Sequence, residues 1–151
     1  IVFPWEDPAE GQIVIDHNGY LWHFNAGSSI RDTVIGIVAG MVLSSRAGTR
    51  SDPGELADFR ERLPERPIPV VAFADSEGEN GEELLKVSAR GTRELVSKGL
   101  DLSSAIKLAS ERVGGVGGGH NIAAGATIDK GREEEFLLEM TRIIQDQLGL
   151  S

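Results

Sequence analysis

The chain contains no cysteine. That excludes disulfides, thiol nucleophiles and cysteine-ligated zinc, and it fits the cytoplasmic location we expect. Aromatic residues make up only 5% of the chain, so little stacking surface is at hand for single-stranded nucleic acid. Phe3, Trp5, Tyr20, Trp22 and Phe24 crowd the N-terminal end, where they read as packing for a hairpin or a neighbouring domain. There are three histidines, and no partner spacing around His17 or His23 suggests a metal. Long apolar runs are missing too. The stretch "VIGIVAGMVL" at 34–43 is half a membrane span, so neither a transmembrane helix nor a membrane partner is expected. No secretory pattern opens the chain. It begins at Ile1 without Met, which implies a piece of something longer. Positive charge is in deficit, with 15 Lys and Arg against 24 Asp and Glu, a net charge of −9. A broad nucleic-acid footprint needs a basic face. This balance argues against one but leaves room for a small, local phosphate site.

What is present describes a folded domain. At 151 residues and 40% hydrophobic content, the chain suffices for one domain with a real core. Residues 1–11, "IVFPWEDPAEG", read as a linker or arm. In "QIVIDHNGYLWHFN", two strand-like runs flank His17-Asn18-Gly19, a strong hairpin signal. "SSIRDTVIGIVAGMVLSSR" has helical periodicity, with Val34, Ile37, Val38, Met41 and Val42 on one face. Asp32 or Ser29 is placed to cap its start. Gly36 and Gly40 disfavour a helix and suit close approach of another backbone or of a ligand. Residues 47–66 read as a charged surface loop with a short helix around 54–62.

"PIPVVAFAD" is apolar throughout and of strand length, and "LLKVSARG" follows it after a turn. With period 2, Leu85, Val87 and Ala89 face one way, and Lys86, Ser88 and Arg90 the other. Two readings stay open for that polar row: a solvent-exposed edge strand, or a phosphate site, since the planar fork of Arg holds two oxygens at once. A short helix ending at Gly99 comes next. A second helix starts near Asp101 or Ser103 and turns Ala105, Ile106, Ala109 and Val113 inward. The last helix carries the stripe Phe136, Leu137, Met140, Ile143, Ile144 and Leu148, with Glu133, Glu134 and Glu135 in its first turn and Gly149 at its stop. Helix and strand patterns interleave. The fold class is therefore α/β, a single domain with a mixed central β-sheet of about five strands flanked by helices.

Between those last two helices lies "GGVGGGHNIAAG", residues 114–125, in which six of twelve residues are glycine. A glycine run permits positive φ and lets backbone N–H groups approach an anion. It is not a P-loop, which needs Gly-Lys-Ser/Thr at its end. It is not a dinucleotide fingerprint either, since it follows a helix and leads toward a strand. Composition alone leaves a hinge open, and leaves His120 open as a core histidine.

"GGGHNIAAGATI" resembles the signature of the DHH-associated domain, the C-terminal domain of the DHH phosphoesterase superfamily. The match falls on Gly118, Gly119, His120, Ala123, Ala124 and Gly125. "KVSARGT" resembles a second element of that family at Ser88 and Arg90, with Gly91 where RecJ-like members usually carry Ser. "TVIGIVAGMV" resembles a third at Ile35, Gly36, Val38 and Ala39. The three elements occur in the family's order and point to the RecJ-like exonuclease branch, of archaeal type. The resemblance implies that residues 12–151 form a substrate-binding domain and that 1–11 link it to an N-terminal DHH domain. Arg90 would then pair with a substrate phosphate, Gly118 and Gly119 would donate backbone N–H groups, His120 would bond a phosphate oxygen, and Ser88 would support the set. The implied partners are single-stranded nucleic acid or a short oligonucleotide, and the DHH domain. A divalent metal, manganese or magnesium, is implied for that domain.

The family's Asp-His-His motif is missing. Asp16-His17-Asn18 comes nearest and falls in the hairpin turn. We therefore expect this chain to hold no catalytic residue and no metal of its own, and to be inactive alone. Three other readings remain: a non-catalytic nucleotide or scaffold module descended from the nuclease, the related C-terminal domain of alanyl-tRNA synthetases, and a glycine hinge in a structural domain.

Overall fold

A computed structural model describes residues 1–44, 63, 64 and 66–150. The expected loop over 47–66 and its helix fall almost wholly outside the described residues. The described part is one mixed six-stranded sheet with helices on both faces. In chain order the elements are β1 (Asp16–His17), β2 (Trp22–Asn25), α1 (Ile35–Val42), β3 (Val70–Glu77), β4 (Glu83–Arg90), α2 (Arg93–Ser97), α3 (Leu102–Arg112), β5 (Val116–Gly119), β6 (Ala123–Asp129) and α4 (Glu133–Gln147). The sheet order is β1-β2-β3-β4-β6-β5. β2 and β3 run parallel, with α1 in the crossover between them, and the other neighbouring strands of the described sheet pair antiparallel.

The sheet has six strands rather than about five because the glycine stretch is itself a strand. Residues 116–119 pair antiparallel with β6 along one edge. Glycine is a poor strand former, so composition hides this strand. Packing explains it: a Cβ on Gly117 would lie 2.8 Å from Ile106 Cγ2 and from Ser110 Oγ of α3. At Gly117 the strand lies too close to α3 to leave room for a side chain.

The His17-Asn18-Gly19 turn joins β1 to β2 as expected. The His17 Nδ1 accepts from the Gly19 amide at 3.0 Å, and Asn18 Nδ2 donates to Thr141 Oγ1 of α4 at 2.9 Å. The aromatic residues nearby pack on one another. Phe3 stacks on Trp5 with centroids 4.6 Å apart, and Trp22 and Phe24 are buried. The N-terminal arm lies against this side of the sheet. Val2 N donates to Ile13 O, and Ile15 N donates to Val2 O.

Two apolar clusters sandwich the sheet. One joins α3 and α4 to Leu85, Val87, Ala89, Ala124, Ala126 and Ile128. Of the expected inward residues of α3 and α4, Ala105, Ile106, Ala109, Val113, Phe136, Met140 and Ile144 are buried there, and Leu137, Ile143 and Leu148 pack against the cluster partly buried. Asp101 caps α3, accepting from the Ser103 amide at 3.1 Å.

The other cluster joins α1 to β2 and β3. Here the expected helix face needs correction. Val42 is buried and Val38 packs beside the core, but Val34, Ile37 and Met41 are exposed, Ile37 by 67% and Met41 by 64%. Ile35 and Ala39 take the inward positions instead. A helix apolar nearly all round does not reveal its inner face by periodicity. Nor does Asp32 or Ser29 cap α1. Its N-cap is Val34, which makes no side-chain cap, and Asp32 accepts from Ser76 Oγ at 2.7 Å instead.

Candidate phosphate-binding face

The alternation read from "LLKVSARG" holds, and the edge-strand reading of it does not. β4 lies inside the sheet between β3 and β6. Its Leu85, Val87 and Ala89 face α3 and α4, so Lys86, Ser88 and Arg90 stand on the opposite face, toward α1. A Cβ on Gly36 of α1 would collide with Arg90 Nη2 and lie 3.4 Å from Ser88 Oγ. The α1 backbone at Gly36 thus lies against the ends of these two side chains. Two stretches separated by some fifty residues, Ile35–Ala39 and Ser88–Arg90, meet at this point.

Strand register extends the face. Ser88 pairs with Gly125, and Gly125 with Gly118. Arg90 pairs with Ala123, and the His120 amide donates to Ala123 O at 2.7 Å. Arg90 and His120 therefore share one row with a single strand between them, about 10 Å apart at the backbone. The adjacent row runs Ser88, Gly125, Gly118. Side chains alternate across β5. Gly117 faces α3, so Gly118 faces the other way, and a Cβ there would meet nothing within 4 Å. The result is a floor of bare backbone with Arg90 and His120 at one end.

The two glycine amides expected as donors differ. The His120–Ala123 bond fixes the ladder, and antiparallel pairs alternate between bonded and unbonded. The Gly118 amide turns inward to Gly125, whereas the Gly117 and Gly119 amides turn outward along the edge. Gly119 has φ of +145°, in the region that favours glycine, and a Cβ there would press on Ala124 Cα. Gly118 enters the face as floor, and Gly119 as an outward N–H.

The electrostatics single out Arg90. It is half-buried and makes no ion pair among the described residues. Its Nη1 donates to Ala89 O at 2.8 Å and to Ala124 O at 3.3 Å. The rest of the fork has no acceptor among the described residues. Burial pushes its pKa down from the usual value, the direction expected of a cation short of counter-charge. Ser88 is 4% exposed, and its hydroxyl has no hydrogen-bond partner among the described residues. His120 is exposed. Gly91 is explained by packing: Leu100 Cδ2 lies 2.7 Å from where its Cβ would be, filling the space a serine side chain needs.

Three residues of the face lay outside the expected set. Gly36 reads in the sequence as a helix glycine suited to close approach, and Gly125 as the end of the glycine-His signature, though neither was assigned to the site. Lys86 had a signal, its place in the same period-2 row. Among the described residues no group of three or more His, Cys, Asp or Glu could hold a metal ion. No helix of the described residues is long and apolar enough to cross a membrane.

Comparison with known proteins gives a family and a fold. An uncharacterized protein of Methanocaldococcus jannaschii (MJ0831) is 48% identical over 66 residues, covering 44% of this chain and 15% of that protein. The C-Ala domain of Aquifex aeolicus alanyl-tRNA synthetase superposes with a TM-score of 0.50 at 13% identity, covering 89% of this chain and 98% of that one. That likeness establishes a shared fold. A structure described as a DHH domain, from a member of the S1p family of ribosomal proteins, superposes with a TM-score of 0.49 at 17% identity, covering 90% of this chain and 28% of that one. The DHHA1 domain family matches residues 27–146. That span takes in α1, β4 and the glycine strand together, and the chain belongs to the DHHA1 domain family.

Proposed function

We propose that this chain binds the phosphate backbone of single-stranded nucleic acid or a short oligonucleotide, as the substrate-binding domain of a RecJ-like phosphodiesterase. DHHA1 domains sit with an N-terminal DHH domain in DHH proteins. The observation that carries the reading is Arg90: a half-buried guanidinium with no carboxylate partner among the described residues, held under α1 at Gly36 and beside the Ser88–Gly125–Gly118 row. An unpaired buried cation is unfavourable unless an anion completes it. A phosphate supplies the charge and the paired oxygens that the fork fits. His120 and the outward Gly119 amide are placed to hold further oxygens. The chemistry of cleavage is assigned to the DHH domain and its manganese or magnesium. The described residues offer no donor set for such an ion, so no step is assigned to one here.

The face is small and the whole chain is acidic, with a net charge of −9. Binding is therefore expected to be weak, largely independent of sequence and modestly salt-sensitive. The slope of log K against log salt should be about −0.7 per phosphate contact. Fluorescence titration of a 5′-phosphorylated single strand across a salt series checks this. His120→Ala should weaken binding about tenfold or less, the range of a single hydrogen bond. Binding that ignores salt, or that is untouched by both His120→Ala and Arg90→Ala, would overturn the reading.

A further inference from the structure

The geometry points to Lys86 as the residue that reads a second phosphate, selecting ligands with two successive phosphates over mononucleotides. This rests on the phosphate reading of the face and extends it. Lys86 lies on the same side of β4 as Ser88 and Arg90, four positions from Arg90. Its side chain does not leave the sheet. Its Nζ lies 3.4 Å from where a Cβ on Gly125 would stand, so the ammonium lies across the glycine of the neighbouring strand. Any side chain at 125 would compete for that place.

Gly125 belongs to the Ser88 row, and the Arg90 row is the next one along. The Lys86 ammonium therefore reaches one row short of Arg90. Two residues along a strand span about 7 Å, comparable to the step between successive phosphates in an extended single strand. Lys86 makes no ion pair among the described residues. Ser88, 4% exposed as a residue, stands between Lys86 and Arg90 along β4. Two cations without an ion pair among the described residues, one row apart with the Lys86 ammonium over Gly125 and Arg90 beside it under α1, form a receptor for two anions in line.

The test compares Lys86→Met, which keeps the apolar stem and removes the charge, with Lys86→Arg, which keeps the charge. Each is titrated with a mononucleotide 5′-phosphate and with a 5′-phosphorylated dinucleotide. Lys86→Met should bind the dinucleotide about fivefold more weakly, with a salt slope lower by about 0.7. It should bind the mononucleotide as the parent does, and Lys86→Arg should resemble the parent with both. Equal weakening of both ligands, or of neither, overturns the second-phosphate role while leaving the Arg90 site standing. If the parent binds neither ligand, or Arg90→Ala binds both unchanged, the phosphate reading itself falls and this inference with it.

Discussion

Replacing Arg90 by alanine should reduce oligonucleotide binding roughly ten- to hundredfold while leaving the fold intact. A charge-assisted hydrogen bond contributes about 1.5–3 kcal/mol, and the fork offers two to a phosphate. The fold has little to lose. Arg90 makes no ion pair among the described residues, and the two carbonyls it touches belong to Ala89 and Ala124, which already pair with each other in the β4–β6 ladder. Thermal stability should therefore move by about 1 kcal/mol or less. Arg90→Lys should recover only part of the binding, because an ammonium keeps the charge and loses the planar pair of donors. Isothermal titration and thermal melting on the same samples separate the two effects. A variant that melts early and binds normally when folded would make Arg90 a structural residue.

The second large effect comes from two adjacent glycines with opposite roles. Gly117→Ala puts a methyl 2.8 Å from Ile106 Cγ2 and 2.9 Å from Ala126 Cβ, inside the contact of β5 with α3. Overpacking of that kind costs about 1–3 kcal/mol, and each kcal/mol lowers Tm by roughly 2–4 °C in a chain of this size. Gly118→Ala puts its methyl in open space on the other face. Stability should stay level or rise slightly, since alanine suits a strand better than glycine. The methyl then stands on the floor where a sugar-phosphate backbone would lie, and binding should fall. A glycine hinge makes the opposite forecast, with similar behaviour at both positions and no change in ligand affinity. Melting curves and titrations of the two variants distinguish these outcomes.

Much of this was legible before the structure, and the reasons differ from residue to residue. Ser88 and Arg90 were visible because period-2 alternation is rigid: once Leu85, Val87 and Ala89 are inward, their neighbours are outward. The inner faces of α3 and α4 were visible because polar residues bound their apolar stripes. α1 was misread because hydrophobic residues surround it, so periodicity alone does not show which side packs. The glycine strand was misread because its pairing follows from α3 and β6, and not from its own weak propensity. Lys86 stood in the right row, but only register across β6 brings its ammonium over Gly125. The convergence of α1, β4 and β5 on one face is tertiary information, and the resemblance of their three stretches to one family stood in for it.

The central claim is that the face built from β4, β6 and the glycine strand holds the phosphates of a single strand. The most direct test is titration of a short 5′-phosphorylated single strand into the chain, followed by backbone amide NMR shifts. The account expects shifts concentrated at residues 88–91 and 117–125, with Gly119 and His120 among the largest. Shifts centred elsewhere would contradict it, for example in the open pocket lined by Asn25, Gly27, Ser29, Asp75 and Lys130. So would an absence of shifts at millimolar ligand.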